Sequence, residues 1–282
     1  AADQQFSPVV DVNLGTARSQ AVAAGSPLAA HFYVDATLDE LEIVVFHDGS
    51  EGDANLTLND PDGNSTSELP YCESDSYSTL CSFFISQPLT GTWELGVEAV
   101  STTLDVDYAA TGYALDGDTY QASVLSLAGA FVTYPQTIVL VAEVSRMDRI
   151  AGAGITAWVE GPDGTYSDLT LTDDGVAPDV LADDGQYTGL MPYDQPGDYA
   201  VTVLFDNIAG TAFYTQAGMA DALTPVSSPV NDDFDRFAEL DILVNDHASD
   251  DHGSTDGSAT DLLGDNGDVP GRIDAAGDAD RF

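Results

Sequence analysis

Apolar and polar residues alternate along most of this chain. ANLTLNDPDG (54–63) sets Leu56 and Leu58 against Thr57 and Asn59. A period of two belongs to a strand with one buried face. HFYVDATLDELEIVVFHD (31–48), CSFFISQ (81–87), TWELGVEAV (92–100) and DVDYAATGYAL (105–115) are also short and rich in β-branched and aromatic residues, with Gly, Pro, Asp or Asn between them. Long helical periodicity is absent. The plan then returns in TIVLVAEVSR (137–146), GITAWVEGPDGTYSDLTLTDDG (154–175), GQYTGLMPYD (185–194) and GDYAVTVLFDNIAGTAFYTQ (197–216).

Two landmarks align between the halves. LNDPDGN (58–64) matches VEGPDGT (159–165), and GTWELGVEA (91–99) matches GDYAVTVLF (197–205). The offsets, 159 − 58 = 101 and 197 − 91 = 106, are close to the length of one immunoglobulin-like sandwich. PDG is a turn: Pro presets its own φ and Gly accepts a positive one. The pattern predicts an all-β chain of tandem antiparallel β-sandwiches, Ig-like or jelly-roll-type. The first spans 1–117 and the second 118–217. Residues 218–282 form an acidic extension with a linker, one more strand in FDRFAELDILVND (234–246), and an Asp- and Gly-rich run.

Charge narrows the partners. There are 49 acidic and 6 basic residues, all of the latter arginine, for a net of −43. Such a chain repels nucleic acid and anionic membranes, and suits divalent cations or concentrated salt. No stretch is apolar enough over about 18 residues to span a bilayer by a helix. The start, AADQQFSP, is what cleavage at a small-residue site would leave, so a secreted or cell-surface location is expected. Cys72 and Cys81 are the only cysteines, and in an exported chain an even pair flanked by strands predicts a disulfide.

The densest acidic stretch is TDDGVAPDVLADDGQYTG (172–189). Asp173, Asp174, Asp179, Asp183 and Asp184 could supply carboxylate oxygens to Ca2+, helped by carbonyls near Val176 or Val180, with Gly175 and Gly185 allowing tight turns. The spacing is not that of an EF-hand. The competing reading is a set of solvated Asx turns. For Asp48, Glu51, Asp53, Asp60 and Asp62, and for the C-terminal Asp250, Asp251, Asp265, Asp268, Asp278 and Asp280, solvated turns are the expectation. His31, His47, His247 and His252 show no metal spacing, and neither H-E-x-x-H nor G-x-S-x-G occurs. Trp93 and Trp158 are expected in cores. The tyrosines of SDSY and DGDTY, Tyr77 and Tyr120, are expected at the surface.

Three stretches carry a family resemblance. FYVDATLDELEIVV followed by LTLNDPDGN resembles the β-sandwich that follows the von Willebrand factor A domain in hemicentins, chloride-channel-regulator proteins and their bacterial relatives. No DxSxS adhesion motif is present, so that domain's activity is not implied. ITAWVEGPDGTYSDLTLTDDGVAPDVLADDGQYTG resembles an Ig-like module of secreted bacterial surface proteins, and the resemblance implies that Asp174, Asp179 and Asp184 point inward. DDHGSTDGSATDLLGDNGDVPGRIDAAGDADRF (250–282) resembles the opening of a pre-peptidase C-terminal type domain, which implies a longer polypeptide.

The expectation is a non-enzymatic, extracellular structural or adhesive protein. It binds calcium, is adapted to salt, partners itself or other surface proteins, and could assemble by strand addition. The alternatives are the accessory region of a secreted hydrolase such as a protease, and a glycan-binding module.

Overall fold

Alternation along the chain becomes alternation of burial. In Glu40–Asp48, Leu41, Ile43, Val45 and His47 turn inward, while Glu40, Glu42, Val44 and Phe46 turn out. In Gly197–Asp206, Tyr199, Val201, Val203 and Phe205 turn inward. Each fully buried aliphatic side chain contributes about 1.5–3 kcal/mol, so one face of each strand is committed to a core. The computed structural model describes residues 9–50, 52–66, 69–75, 77–215 and 228–246, without the side chains of residues 18 and 19. Every regular element among the described residues is a strand.

The first half holds β1 (Val10–Val22), β2 (Leu28–Val34), β3 (Glu40–Asp48), β4 (Ala54–Asn59), β5 (Tyr71–Ser74), β6 (Ser78–Ser86), β7 (Gly91–Ala99) and β8 (Leu104–Ala114). Strands β1, β8, β3, β6 and β5 lie side by side and face the three-stranded sheet β2-β7-β4. Leu14, Leu41, Ile43, Phe83, Trp93, Leu95 and Val106 fill the space between them. The Cys72–Cys81 disulfide is present and joins β5 to β6 at directly opposed positions.

The second half holds β9 (Gln121–Ser126), β10 (Phe131–Thr133), β11 (Val139–Arg146), β12 (Asp148–Ala151), β13 (Gly154–Glu160), β14 (Tyr166–Leu169), β15 (Tyr187–Leu190), β16 (Gly197–Asp206), β17 (Phe213–Tyr214), β18 (Ser228–Pro229) and β19 (Asp235–Asn245). Strands β14, β13, β16 and β19 form one layer, and β15, β11 and β9 form the other. Leu140, Ala142, Val144, Val201, Val203, Phe205 and Phe234 make a second, separate core. The chain is all-β, built of tandem sandwiches.

The two landmarks of the repeat meet in space within each sandwich. A Cβ built on Gly91 would lie 2.7 Å from Pro61, and one on Gly197 would lie 2.5 Å from Pro162. Both glycines have positive φ, 135° and 144°. Two residues on, Trp93 Nε1 donates to the Leu89 carbonyl at 2.8 Å, and Tyr199 OH donates to the Gln195 carbonyl at 2.8 Å. Turn and strand start are thus one packing unit, used twice.

The strand in the acidic C-terminal segment, β19, packs into the second core and also leads to the first sandwich. It runs antiparallel to β16 from Gly197↔Val244 to Asp206↔Asp235, and meets β1 at Asn13↔Phe237. One ten-stranded sheet therefore crosses both sandwiches in the order β14-β13-β16-β19-β1-β8-β3-β6-β5, with β10 beside β19. In the first sandwich the G-x-W strand β7 has β4 on one side and β2, which precedes it in the chain, on the other. In the second, the same place beside β16 is taken by β19, which follows it.

Candidate functional sites

The acidic loop leaves β14, closes through the bridge Thr172↔Thr188 and returns as β15. Its aspartates organise the backbone. Asp173 Oδ1 and Oδ2 accept the N–H groups of Asp184 and Gly185 at 3.1 and 2.9 Å. Asp179, only 5% exposed, accepts from Gly175 and Val180 at 2.5 and 2.7 Å. Asp184 Oδ1 accepts from Gln186 at 2.9 Å. The outcome is a triad: ligand oxygens of Asp173, Asp179 and Asp184 all lie within 4.8 Å of one another. Burial, and then the charges of Asp184 and Asp179, push the Asp173 carboxyl above its ordinary range.

Three of the five candidate aspartates are thus brought together, with Asp173 rather than Asp174 as the third inward member. Asp174 is exposed and accepts the Val176 N–H at 2.8 Å, an Asx turn. Asp183 is also exposed, at a positive φ of 59°. The donor set fits a hard divalent cation: three carboxylates with spare lone pairs, on a loop whose carbonyls can add oxygens.

The other acidic candidates do local work. Asp53 accepts from Ser50 at 2.8 Å, Asp60 from Asp62 and Asn64, and Asp48 from Asp105 at 2.6 Å. Asp62 is exposed in the PDG turn. Glu51, His247, His252 and the acids from Asp250 onward lie outside the described residues. His31 pairs with Glu94 at 3.1 Å and His47 is buried. Trp93 is buried in the first core, but Trp158 is only half-buried. Tyr77 is 82% exposed as expected, whereas Tyr120 is fully buried.

The burial of Tyr120 leads to a site that the sequence reading missed. Tyr120 stacks on Phe234, ring centroids 4.4 Å apart, at the junction of the two sandwiches. Beside it Arg236 is fully buried, a costly placement for a charge without partners. Its guanidinium donates to the carbonyls of Tyr120 and Asp235 at 2.6 and 2.7 Å, to Thr119 Oγ1 at 3.0 Å, and to Asp35, which is only 2% exposed. Asp35 belongs to the first sandwich, Thr119 and Tyr120 to the connection, and Arg236 to β19. Thr37 closes the network, bonded to Asp35 at 2.5 Å and to Thr119 at 2.6 Å. A second arginine, Arg146, holds Asp118 through two bonds of 2.8 and 3.0 Å and reaches Asp232 at 3.3 Å. The signal for the missed site is visible in FDRFA: Phe234, Arg236 and Ala238 alternate inward, so an arginine sits at a core position.

Next to this network, burial and then the charge of Asp206 push the Asp235 carboxyl up to about 6.

Comparison with known proteins bears on the second sandwich. Residues 121–215 match the conditioned medium factor second Ig-like domain. The second sandwich is Ig-like. No curated protein sequence matches the chain. Among solved structures, the chain is similar to a Bacillus licheniformis lipase in its propeptide form, with 14% identity, a TM-score of 0.38, and coverage of 86% of this chain and 42% of that one. It is also similar to a DUF4785 family protein from Legionella pneumophila, with 9% identity, a TM-score of 0.39, and coverage of 86% and 66%. The chain therefore spans less than half the length of the lipase. The disulfide and the Ig-like fold are compatible with an extracellular protein, and no helix among the described residues is long and apolar enough to cross a membrane.

Proposed function

We propose that this chain is a non-catalytic, extracellular structural or adhesive unit, a stiff two-sandwich spacer adapted to salt. The observation that carries the reading is the junction. A flexible linker between independent domains is polar and exposed. Here the connection buries Thr119 and Tyr120, and β19 ties both halves through one sheet and the buried Arg236–Asp35 pair.

Calcium completes the proposal. The Asp173–Asp179–Asp184 triad would hold the ion, which would offset the repulsion among carboxylates gathered within 4.8 Å. The long sheet's end strands β5 and β14 are four residues long and carry Glu73 and Asp168, features that blunt these two edges against self-pairing.

Calorimetry of the purified chain, with calcium and then with chelator, tests both parts. One cooperative transition is expected, its midpoint raised by calcium and insensitive to calcium in Asp173→Asn/Asp184→Asn. Two well-separated transitions in the wild type would refute the stiff spacer. An unchanged midpoint would refute the calcium site alone.

A further inference from the structure

Strands β1 and β19 share the register pair Asn13↔Phe237 and then part. The cause lies in β1. Its pairing with β8 slips between Asn13 and Gly15 and again between Ala17 and Gln20, and such irregularities bend a strand away from its neighbour. On its β1 side, β19 next gains a strand partner, β10, only at Phe131↔Leu243. The divergence opens a cleft of 310 Å³ on the outer face of the long sheet, where β1 of the first sandwich meets β19 of the second.

The walls of this cleft have a definite chemistry. Trp158, Tyr166 and Phe237 contribute aromatic surface, and Glu160, Glu239 and Asp241 contribute carboxylates. Glu239 is held by Thr16 across the divergence at 2.5 Å. The cleft continues into a groove of 640 Å³ through the shared residues Glu160, Ala200 and Asp241, where Asp198 and the 75%-exposed Phe131 repeat the pairing of acid and aromatic.

We propose that this cleft binds an extended, lysine- or arginine-bearing segment of a partner protein. Charge complementarity selects the occupant. Carboxylates attract a cationic side chain, and aromatic faces hold it by cation–π contact. The period also agrees. Glu239 and Asp241 lie two apart on one face of β19, and alternate side chains of an extended peptide repeat at the same spacing. The cleft shares no residue with the Asp173–Asp179–Asp184 triad, which lies on a different loop.

The test is isothermal titration of the full chain at about 0.1 M salt with a blocked (Lys-Gly)4 peptide, with (Glu-Gly)4 and a neutral hexasaccharide as comparators. Binding of the lysine peptide alone is expected. Trp158→Ala should weaken it roughly three- to thirtyfold, the range for a cation–π contact. Glu239→Gln/Asp241→Asn should weaken it about tenfold or more. Asp62→Asn/Glu98→Gln removes the same charge from exposed positions on the opposite sheet of the first sandwich and should change affinity less than about twofold. Each variant is checked by its unfolding midpoint, and Tyr166→Ala, at a 66%-exposed position, is a second aromatic probe that leaves the cores untouched. Equal loss in the remote variant would overturn the proposal in favour of attraction by the whole charged surface. Wild-type affinity in both aromatic variants, preferential saccharide binding, or no binding at all would also overturn it.

Discussion

At the scale of single residues, the junction concentrates the risk. Arg236 is one of six basic residues in the chain and has no exposed surface. Removing one partner of a buried ion pair leaves the other charge uncompensated, which typically costs about 3–5 kcal/mol. Asp35→Ala should therefore lower unfolding free energy by about that amount in guanidinium titration. The double variant Asp35→Leu/Arg236→Met should regain most of it, because a well-packed apolar replacement carries no desolvation cost. A pH effect sits beside it. Asp235 titrates near 6 when folded, above its ordinary 3.8, so between about pH 4 and pH 6 the native state binds more protons than the unfolded one. Stability from this group is present at the acid end of the window and is lost as pH rises through it. Asp235→Asn should flatten the fall in midpoint between pH 4 and pH 6, a change that melting curves at half-unit steps would reveal. None of this was visible in the FDRFA stretch beyond an arginine at an inward position. The depth of a position depends on what packs over it, and Asp35 is 201 residues away.

At the scale of elements, the repeated landmarks were legible because they are local. PDG makes its turn from its own dihedral preferences, and G-x-W or G-x-Y starts a strand with an aromatic turned inward. What local pattern did not reveal is that turn and glycine touch. Gly91 and Gly197 each have positive φ and leave no room for a Cβ against Pro61 and Pro162. Alanine at either position should destabilise by about 2 kcal/mol or more, from strained backbone and displaced proline. Denaturant midpoints of Gly91→Ala and Gly197→Ala check this, and the two should cost similar amounts if the unit is the same in both sandwiches. The acidic loop shows the same division. Its five aspartates and two turn glycines were plain in the sequence, but which carboxylates converge depends on how the loop closes on Thr172 and Thr188. That closure brings in Asp173 and turns Asp174 outward.

At the scale of the whole molecule, charge dominates. A net of −43 on 282 residues repels itself at low ionic strength. The Debye length falls from about 10 Å at 0.1 M to about 3 Å at 1 M salt, so the melting midpoint should rise with sodium chloride over that range. Calorimetry at fixed pH checks it, and a flat or falling midpoint would show that the acids are already compensated within the fold. The salt effect should be unchanged in Asp35→Leu/Arg236→Met, since a pair without solvent contact is screened little.

The sequence by itself determined the all-β class, many of the strands though not β1, β5, β9, β10 or β12, the repeated turns, the disulfide partners and the strongly acidic surface. Each follows from neighbours along the chain or from composition: a period of two, a turn's dihedral preferences, an even pair of cysteines, a count of charges. Only the tertiary structure decided where β19 goes, that Arg236 and Tyr120 are interior residues, which aspartates form the triad, and that β1 and β19 part to open an acidic aromatic cleft. Those outcomes come from pairings between distant segments, where any strand with one apolar face can satisfy any open edge. The choice rests on the summed packing of both cores and the partners available to one buried charge, which no short window of sequence contains.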